Sequence, residues 1–233
     1  PLMTGPTQSY IGWEQTATGV MGVWAIENTR EAIWDAMKRK ETFATTGTRL
    51  KVRFFGGFDF SDADLGVDLA KSGYQRGVTM GSHMHKAPQG KSPTFMVAAM
   101  KDPEGANLDR IQIIKGWIDR VGQAHEKVFN VAWSGNRELD AQGKLSLVGD
   151  TVDRDTATYE NTIGAAQLAG VFEDPEFNPE NKAVYYVRVL EIPTPRWTLY
   201  DKIRFGITDM ADEVPLVHQE RAFSSPIWYG SEG

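Results

Sequence analysis

The 233 residues contain no cysteine. Disulfide staples, thiolate metal sites and a cysteine nucleophile are therefore excluded. No stretch approaches the roughly 18–20 consecutive apolar residues that a membrane-spanning helix needs, so no membrane partner is expected. Positive charge is in deficit, with 25 Lys and Arg against 31 Asp and Glu and a formal net charge of -6. Nucleic-acid binders need a basic surface to displace counterions from phosphate, so DNA and RNA are not expected partners. The chain also lacks a GxSxG elbow and a Walker loop, and Ser224 and Ser225 have no base that the sequence identifies. Its start, Pro1-Leu2-Met3-Thr4, has neither an initiator Met nor the basic n-region of a secretory leader. It reads as an internal piece of a longer soluble protein, periplasmic or cytoplasmic.

What is present points to one helix followed by many strands. "ENTREAIWDAMKRKE" (27–41) places Asn28 as N-cap with Glu31 three residues on, a capping-box pattern. Ile33, Trp34 and Met37 recur at helical spacing, and Lys38, Arg39 and Lys40 fill the last turn, where cations suit the dipole. "GVMGVWA" (19–25) before it reads as a short strand. After Gly47 the period changes to two, with Leu50, Val52 and Phe54 alternating with Lys51 and Arg53. Further strands are expected at 94–100, 109–117, 127–133, 155–160, 183–191 and 221–229, with a short helix at 165–170. Gly/Pro/Asp/Asn turns separate them, which indicates an antiparallel sandwich. The fold expected is mainly β: an immunoglobulin-like (Ig-like) antiparallel β-sandwich preceded by a short α/β remnant. Three connections, 55–77, 134–154 and 191–220, exceed the roughly 12–15 residues of ordinary loops, and their aromatic residues suggest that they are packed.

Four features carry candidate chemistry. "ATTGTR" gathers Thr45, Thr46 and Arg49 at a turn, where hydroxyls and a guanidinium either hold an anionic group or satisfy a junction backbone. "PTPRWTLYDKIRF" (193–205) mixes Arg196, Trp197 and Tyr200, a sugar or anion platform through stacking and bidentate bonds, or the sealed end of a sandwich. His83 and His85 form an HxH pair that in a strand faces one side, yet no third ligand is near in sequence, so an exposed loop is preferred over a metal site. Asp150, Asp153 and Asp155, with Asp140 upstream, offer oxygens for calcium but lack EF-hand spacing, and a solvated loop is preferred.

The long stretches "GVWAIENTREAIWDAMKRKETFATTGTRLKVRFFGG", "KDPEGANLDRIQIIKGW", "EKVFNVAWSG", "YYVRVLEIPTPRWTLYD" and "QERAFSSPIWY" resemble an uncharacterised bacterial family, DUF3604. That family is similar to the polymerase-and-histidinol-phosphatase (PHP) hydrolases, and the resemblance covers residues 10–229. It implies a longer protein in which a PHP-like (β/α) barrel holds catalytic divalent metals and a β-rich portion follows. Residues 1–47 would then be the barrel's last strand and helix, and 48–233 the appended domain. The metal motifs would lie upstream of Pro1, so this chain carries no cofactor of its own and its partner is the missing barrel, with self-association as a further option. Relatives tend to have a "MGG-D" type turn at His83-Met84-His85, so that pair is not equated with the barrel's ligands. Thr45, Thr46 and Arg49 would border the barrel mouth. The function this implies is an accessory portion of a metal-dependent hydrolase, inactive alone. A stand-alone ligand- or carbohydrate-binding sandwich using Arg196, Trp197 and Tyr200 is the alternative.

Overall fold

A computed structural model describes residues 12–14, 19–66 and 68–230. The fold is mainly β, with two sheets packed face to face and no barrel among the described residues. The larger sheet is built on one long strand, β10 (Lys182–Pro195). One edge of β10 pairs along its length with β7 (Leu108–Ile118), which in turn pairs with β8 (Ala124–Trp133). The other edge is shared by β11 (Val217–Ser224) and β12 (Ile227–Tyr229). β2 (Thr42–Thr45) and β1 (Val20–Val23) continue the sheet beyond β11, and β5 (His83–Met84) lies parallel to β12. The smaller sheet is antiparallel in the order β4 (Val78–Thr79), β3 (Lys51–Gly57), β6 (Thr94–Met100), β9 (Gln167–Glu173).

Period-two alternation makes the core. Leu50, Val52 and Phe54 at β3, and Phe95, Val97 and Ala99 on β6, meet Ile111 and Ile113 on β7 and Tyr185, Val187 and Val189 on β10. The rings of Phe95 and Tyr185 pack across the two sheets with centroids 4.4 Å apart. One charge pair is buried in this interior, with Lys115 Nζ 2.6 Å from the Asp174 carboxylate.

The expected helix forms as α1 (Arg30–Lys38), shorter than the 27–41 pattern. Its N-cap is Thr29 rather than Asn28, the Thr29 hydroxyl accepting from the Ala32 amide at 3.3 Å. It stops because Lys40 takes a left-handed conformation (φ 59), letting the Glu41 amide donate back to Ala36 O and the Lys40 amide to Met37 O. That closure is a Schellman motif with a lysine in place of the usual glycine. The face turned inward also differs from the expected one. Ala32 and Ala36 are buried, while Trp34 is 63% exposed and Met37 faces out beside it. Small side chains permit a close approach to the sheet that Trp34 would block.

Other expectations are corrected. Residues 155–160 form no strand: a single bridge between Asp153 and Thr158 closes a tight turn whose amides are taken by the Asp153 carboxylate. Residues 165–170 are not helical, because β9 occupies the open edge of β6 there. The connection 55–77 holds a helix, α2 (Leu69–Arg76), capped by the Asp68 carboxylate. Its Gly73 lies against the Phe55 ring so closely that a Cβ would sit 2.4 Å from it. The connection 191–220 begins with the end of β10 and continues as α3 (Trp197–Arg204). The stretch 221–229 divides into the end of β11 and β12, broken at Ser225-Pro226, where proline supplies no ladder donor.

Candidate functional site

The site begins with an irregularity in β10. Tyr185, Val187 and Val189 point into the core, and Glu191 continues the same face. It is a carboxylate where the pattern calls for an apolar side chain. Leu190 pairs with Arg221 of β11, and one further step would set Glu191 opposite Glu220. Instead the register shifts between Leu190 and Pro193, and on the other edge β7 bulges so that Glu191 faces Leu108. Bulges of this kind end regular pairing and re-aim side chains, and they recur beside active sites.

The side chains around the break form a polar cluster at one end of the sandwich. Glu191 is fully buried and neither carboxylate oxygen makes a hydrogen bond. Burial pushes it up to about 7; the nearby Thr48 hydroxyl works against this, and the charges of Glu220 and Asp102 add to it. Glu220 goes the other way. Burial opposes its charge, but the His218 imidazole at 3.0 Å and the Thr46 hydroxyl, which donates to its carboxylate, hold it below the ordinary glutamate value. Gln219 links the two strands, its amide nitrogen donating to Glu191 O at 2.8 Å and to the Asp109 carboxylate at 3.0 Å. Asp109 is itself buried between Arg110 (3.0 Å) and Arg137 (2.7 Å), so its charge is compensated. A fully buried carboxyl near neutrality and an ionised one on the adjoining strand form the kind of divergent pair found at functional sites.

A cleft of about 490 Å³ opens beside this cluster, between α3 and the outer part of β11. Thr46, Arg196, Trp197, Tyr200, His218 and Glu220 line it. The volume falls within the roughly 300–1,000 Å³ of small-ligand sites. α3 starts where Arg196 N donates to Leu216 O and the Thr198 hydroxyl donates to Pro215 O, which fixes the helix against the chain entering β11. Arg196 is buried with its guanidinium 5.3 Å from the Trp197 ring centre, while Trp197 and Tyr200 present partly exposed rings. Aromatic faces beside a carboxylate, an imidazole and a hydroxyl can stack on an apolar ring face and bond to its hydroxyl groups.

A family model described as a protein of unknown function, DUF3604, matches residues 3–231. The chain belongs to the DUF3604 family. No curated protein and no solved structure matches it.

In this DUF3604 chain the residues singled out by sequence divide into two groups. Thr46, Arg196 and Trp197 come together on the cleft, although Thr46 and Glu220 are 174 residues apart in sequence. Thr45 does not reach the cleft, because it is an inward residue of β2 whose hydroxyl donates to Thr48 O. Arg49 is exposed and is held through its amide, which donates to the Asp102 carboxylate at 2.8 Å. His83 lies exposed on β5 with its ring stacked on Trp228, and His85 lines a separate hollow with Lys86 and Asn181. Among the described residues no three His, Asp or Glu side chains are grouped to hold a metal ion. The aspartates 140, 150 and 153 each accept from neighbouring backbone amides, forming local turns. Sequence reading missed Glu191, Glu220 and His218. The available signal was parity: Glu191 sits at an inward position of "AVYYVRVLE" and is charged.

Proposed function

We propose that this DUF3604 chain is the ligand-recognising accessory portion of a metal-dependent hydrolase, and that the cleft between α3 and β11 takes a hydroxylated, glycan-like group. The observation that carries the reading is the convergence of Thr46, Arg196 and Trp197 with Glu220 and His218 on one small-ligand cleft. Exposed rings supply stacking, and the charged and hydroxyl groups supply orienting hydrogen bonds. On this reading residues 1–47 close the catalytic part and 48–233 form the accessory domain, held to it where β2 pairs with β11. Trp34 and Met37 on α1 and Met21 on β1 are apolar and exposed, which supports a surface on which the catalytic part packs. The divalent metal of such a hydrolase would take its ligands from that part. A self-standing carbohydrate-binding module would use the same cleft.

Calorimetric titration with cellohexaose, maltohexaose and hexagalacturonate tests the ligand class. At least one is expected to bind, and Trp197→Ala is expected to weaken it at least about tenfold through loss of the stacking face. Absence of binding by all three, or undiminished binding by Trp197→Ala, would overturn the assignment. The same preparation, purified without chelators, is expected to carry no stoichiometric metal and to leave generic esters and phosphoesters intact. Bound metal with turnover abolished in His83→Ala would make the chain an enzyme in its own right.

A further inference from the structure

We infer that Glu191 is a proton-controlled positioning residue behind the α3–β11 cleft, its buried carboxyl holding or releasing the cleft-lining side of β11 according to its charge. The inference rests on the cleft being a ligand site. Its geometric basis is fourfold. Glu191 is fully buried, and both its oxygens lack hydrogen-bond partners. It stands at the position where the register of β10 shifts on both edges, so the ladder is irregular there. It lies one step beyond the Leu190–Arg221 pair, beside the segment of β11 that carries Glu220, which lines the cleft. And its carbonyl is the acceptor for Gln219, the residue next to Glu220 and also part of the cleft wall.

The groups facing Glu191 define the sign. Glu220 comes from β11, Asp102 and Lys101 from the end of β6, and the Thr48 hydroxyl from the turn before β3. Tyr159, in the long connection before β9, lies near enough to feel the Glu191 charge. Two of these are anions and one is a cation, and Lys101 is occupied by Gly105 O at 2.6 Å. Asp109 on β7 is neutralised by Arg110 and Arg137. A neutral Glu191 therefore leaves Glu220 free to keep its bonds to Thr46 and His218. An ionised Glu191 places a second negative charge in the buried interior next to Glu220, and the ladder is irregular at the register shift between them. Loss of the proton is expected to push the Gln219–Glu220 segment away from the β10 bulge and to deform the cleft. Ligand binding would then be strong when Glu191 is neutral and weaker when it is ionised.

The test has a part that needs no ligand. Carbon-detected NMR on uniformly labelled protein follows the carboxyl carbons of Glu191 and Glu220 from pH 4 to 9, together with the amides of His218–Arg221. Glu191 is expected to ionise near neutrality, and these β11 amides are expected to shift with the same midpoint. Ionisation of Glu191 at an ordinary glutamate pH, or β11 amides that ignore it, would overturn the inference. Titration with the same three hexasaccharides at pH 5.5 and 8.5 then reads the cleft. The expected result is an affinity about tenfold lower at the higher pH in the native chain, and nearly equal affinities in Glu191→Gln. A pH dependence that survives in Glu191→Gln would also overturn it. If none of the sugars binds while the β11 amides still follow Glu191, the glycan reading fails and the control of β11 by Glu191 stands.

Discussion

Replacing Asp174 with alanine is expected to cost about 3–5 kcal/mol of stability, because it strands a buried ammonium. Asp174 directly follows β9 of the smaller sheet and has no exposed surface. Its carboxylate accepts from the Tyr185 hydroxyl at 2.6 Å and from the Glu176 amide at 2.9 Å, and it pairs with Lys115 at 2.6 Å. Lys115 is on β7 and Tyr185 on β10, so the cluster ties the two sheets together at one end of the core. Lys115 also donates to Glu176 O at 2.8 Å and lies over the Trp117 ring. Every polar atom the pair brings inward thus finds a partner. Burial and the Asp174 charge push the Tyr185 hydroxyl far above its ordinary value, so it remains a donor at any physiological pH. Removing only the carboxylate leaves Lys115 charged in a low-dielectric interior, whereas removing both charges together need not be costly. Urea unfolding monitored by tryptophan fluorescence should show the large loss in Asp174→Ala and its partial recovery in Asp174→Leu/Lys115→Met. A loss below about 1 kcal/mol in the single variant would mean that the pair is not buried as described.

Glu191→Gln is expected to do the opposite at alkaline pH, raising stability by about 3 kcal/mol at pH 8.5 while changing it little at pH 4. The folded chain holds the Glu191 proton up to about 7, against an ordinary glutamate value of 4.5. Between those two values the folded state binds more protons than the unfolded state, so stability falls as pH rises through the window. Below pH 4.5 both states are protonated and the group contributes nothing; above 7 the full penalty applies. Glutamine keeps the shape and removes the ionisation. Chemical unfolding at pH 4, 6 and 8.5 should therefore show native and variant curves that diverge upward with pH. Parallel curves would indicate that Glu191 finds a partner when ionised. Glu220 contributes with the opposite sign, since its depressed value stabilises the fold above the ordinary glutamate range and that contribution is lost on acidification.

The two glutamates also show what could be read in advance. The strand "AVYYVRVLE" was visible from its alternation; the same parity carries the signal of a charge at its inward-facing end, which sequence reading passed over, although both depend only on neighbours two residues away. That this charge would lie near Glu220, and that Thr46 would bond to the Glu220 carboxylate rather than to an anionic ligand, depends on β2 and β10 both pairing with β11. No local pattern encodes that pairing. Residues 165–170 failed for the same reason: the small residues Ala165, Ala166 and Ala169 fit a helix, but the open edge of β6 decided for a strand. α1 was legible through its apolar spacing and basic last turn, yet its inward face was not, because Trp34 and Ala36 compete on size against a sheet the sequence does not show.

By itself, then, the sequence determined the mainly β character of the chain, most strand positions, the first helix and the family. It excluded disulfides and a thiolate metal site, and it marked Thr46, Arg196 and Trp197 as residues to watch. Only the tertiary structure decided that these three share a cleft, that Thr45 and Arg49 do not, and that Glu191, Glu220 and His218 join them. The reason is physical. Alternation, capping and turn preferences act within a few residues and are written in order along the chain. A cleft is made where strands far apart in that order pair, and where a bulge interrupts their pairing and re-aims the side chains beside it.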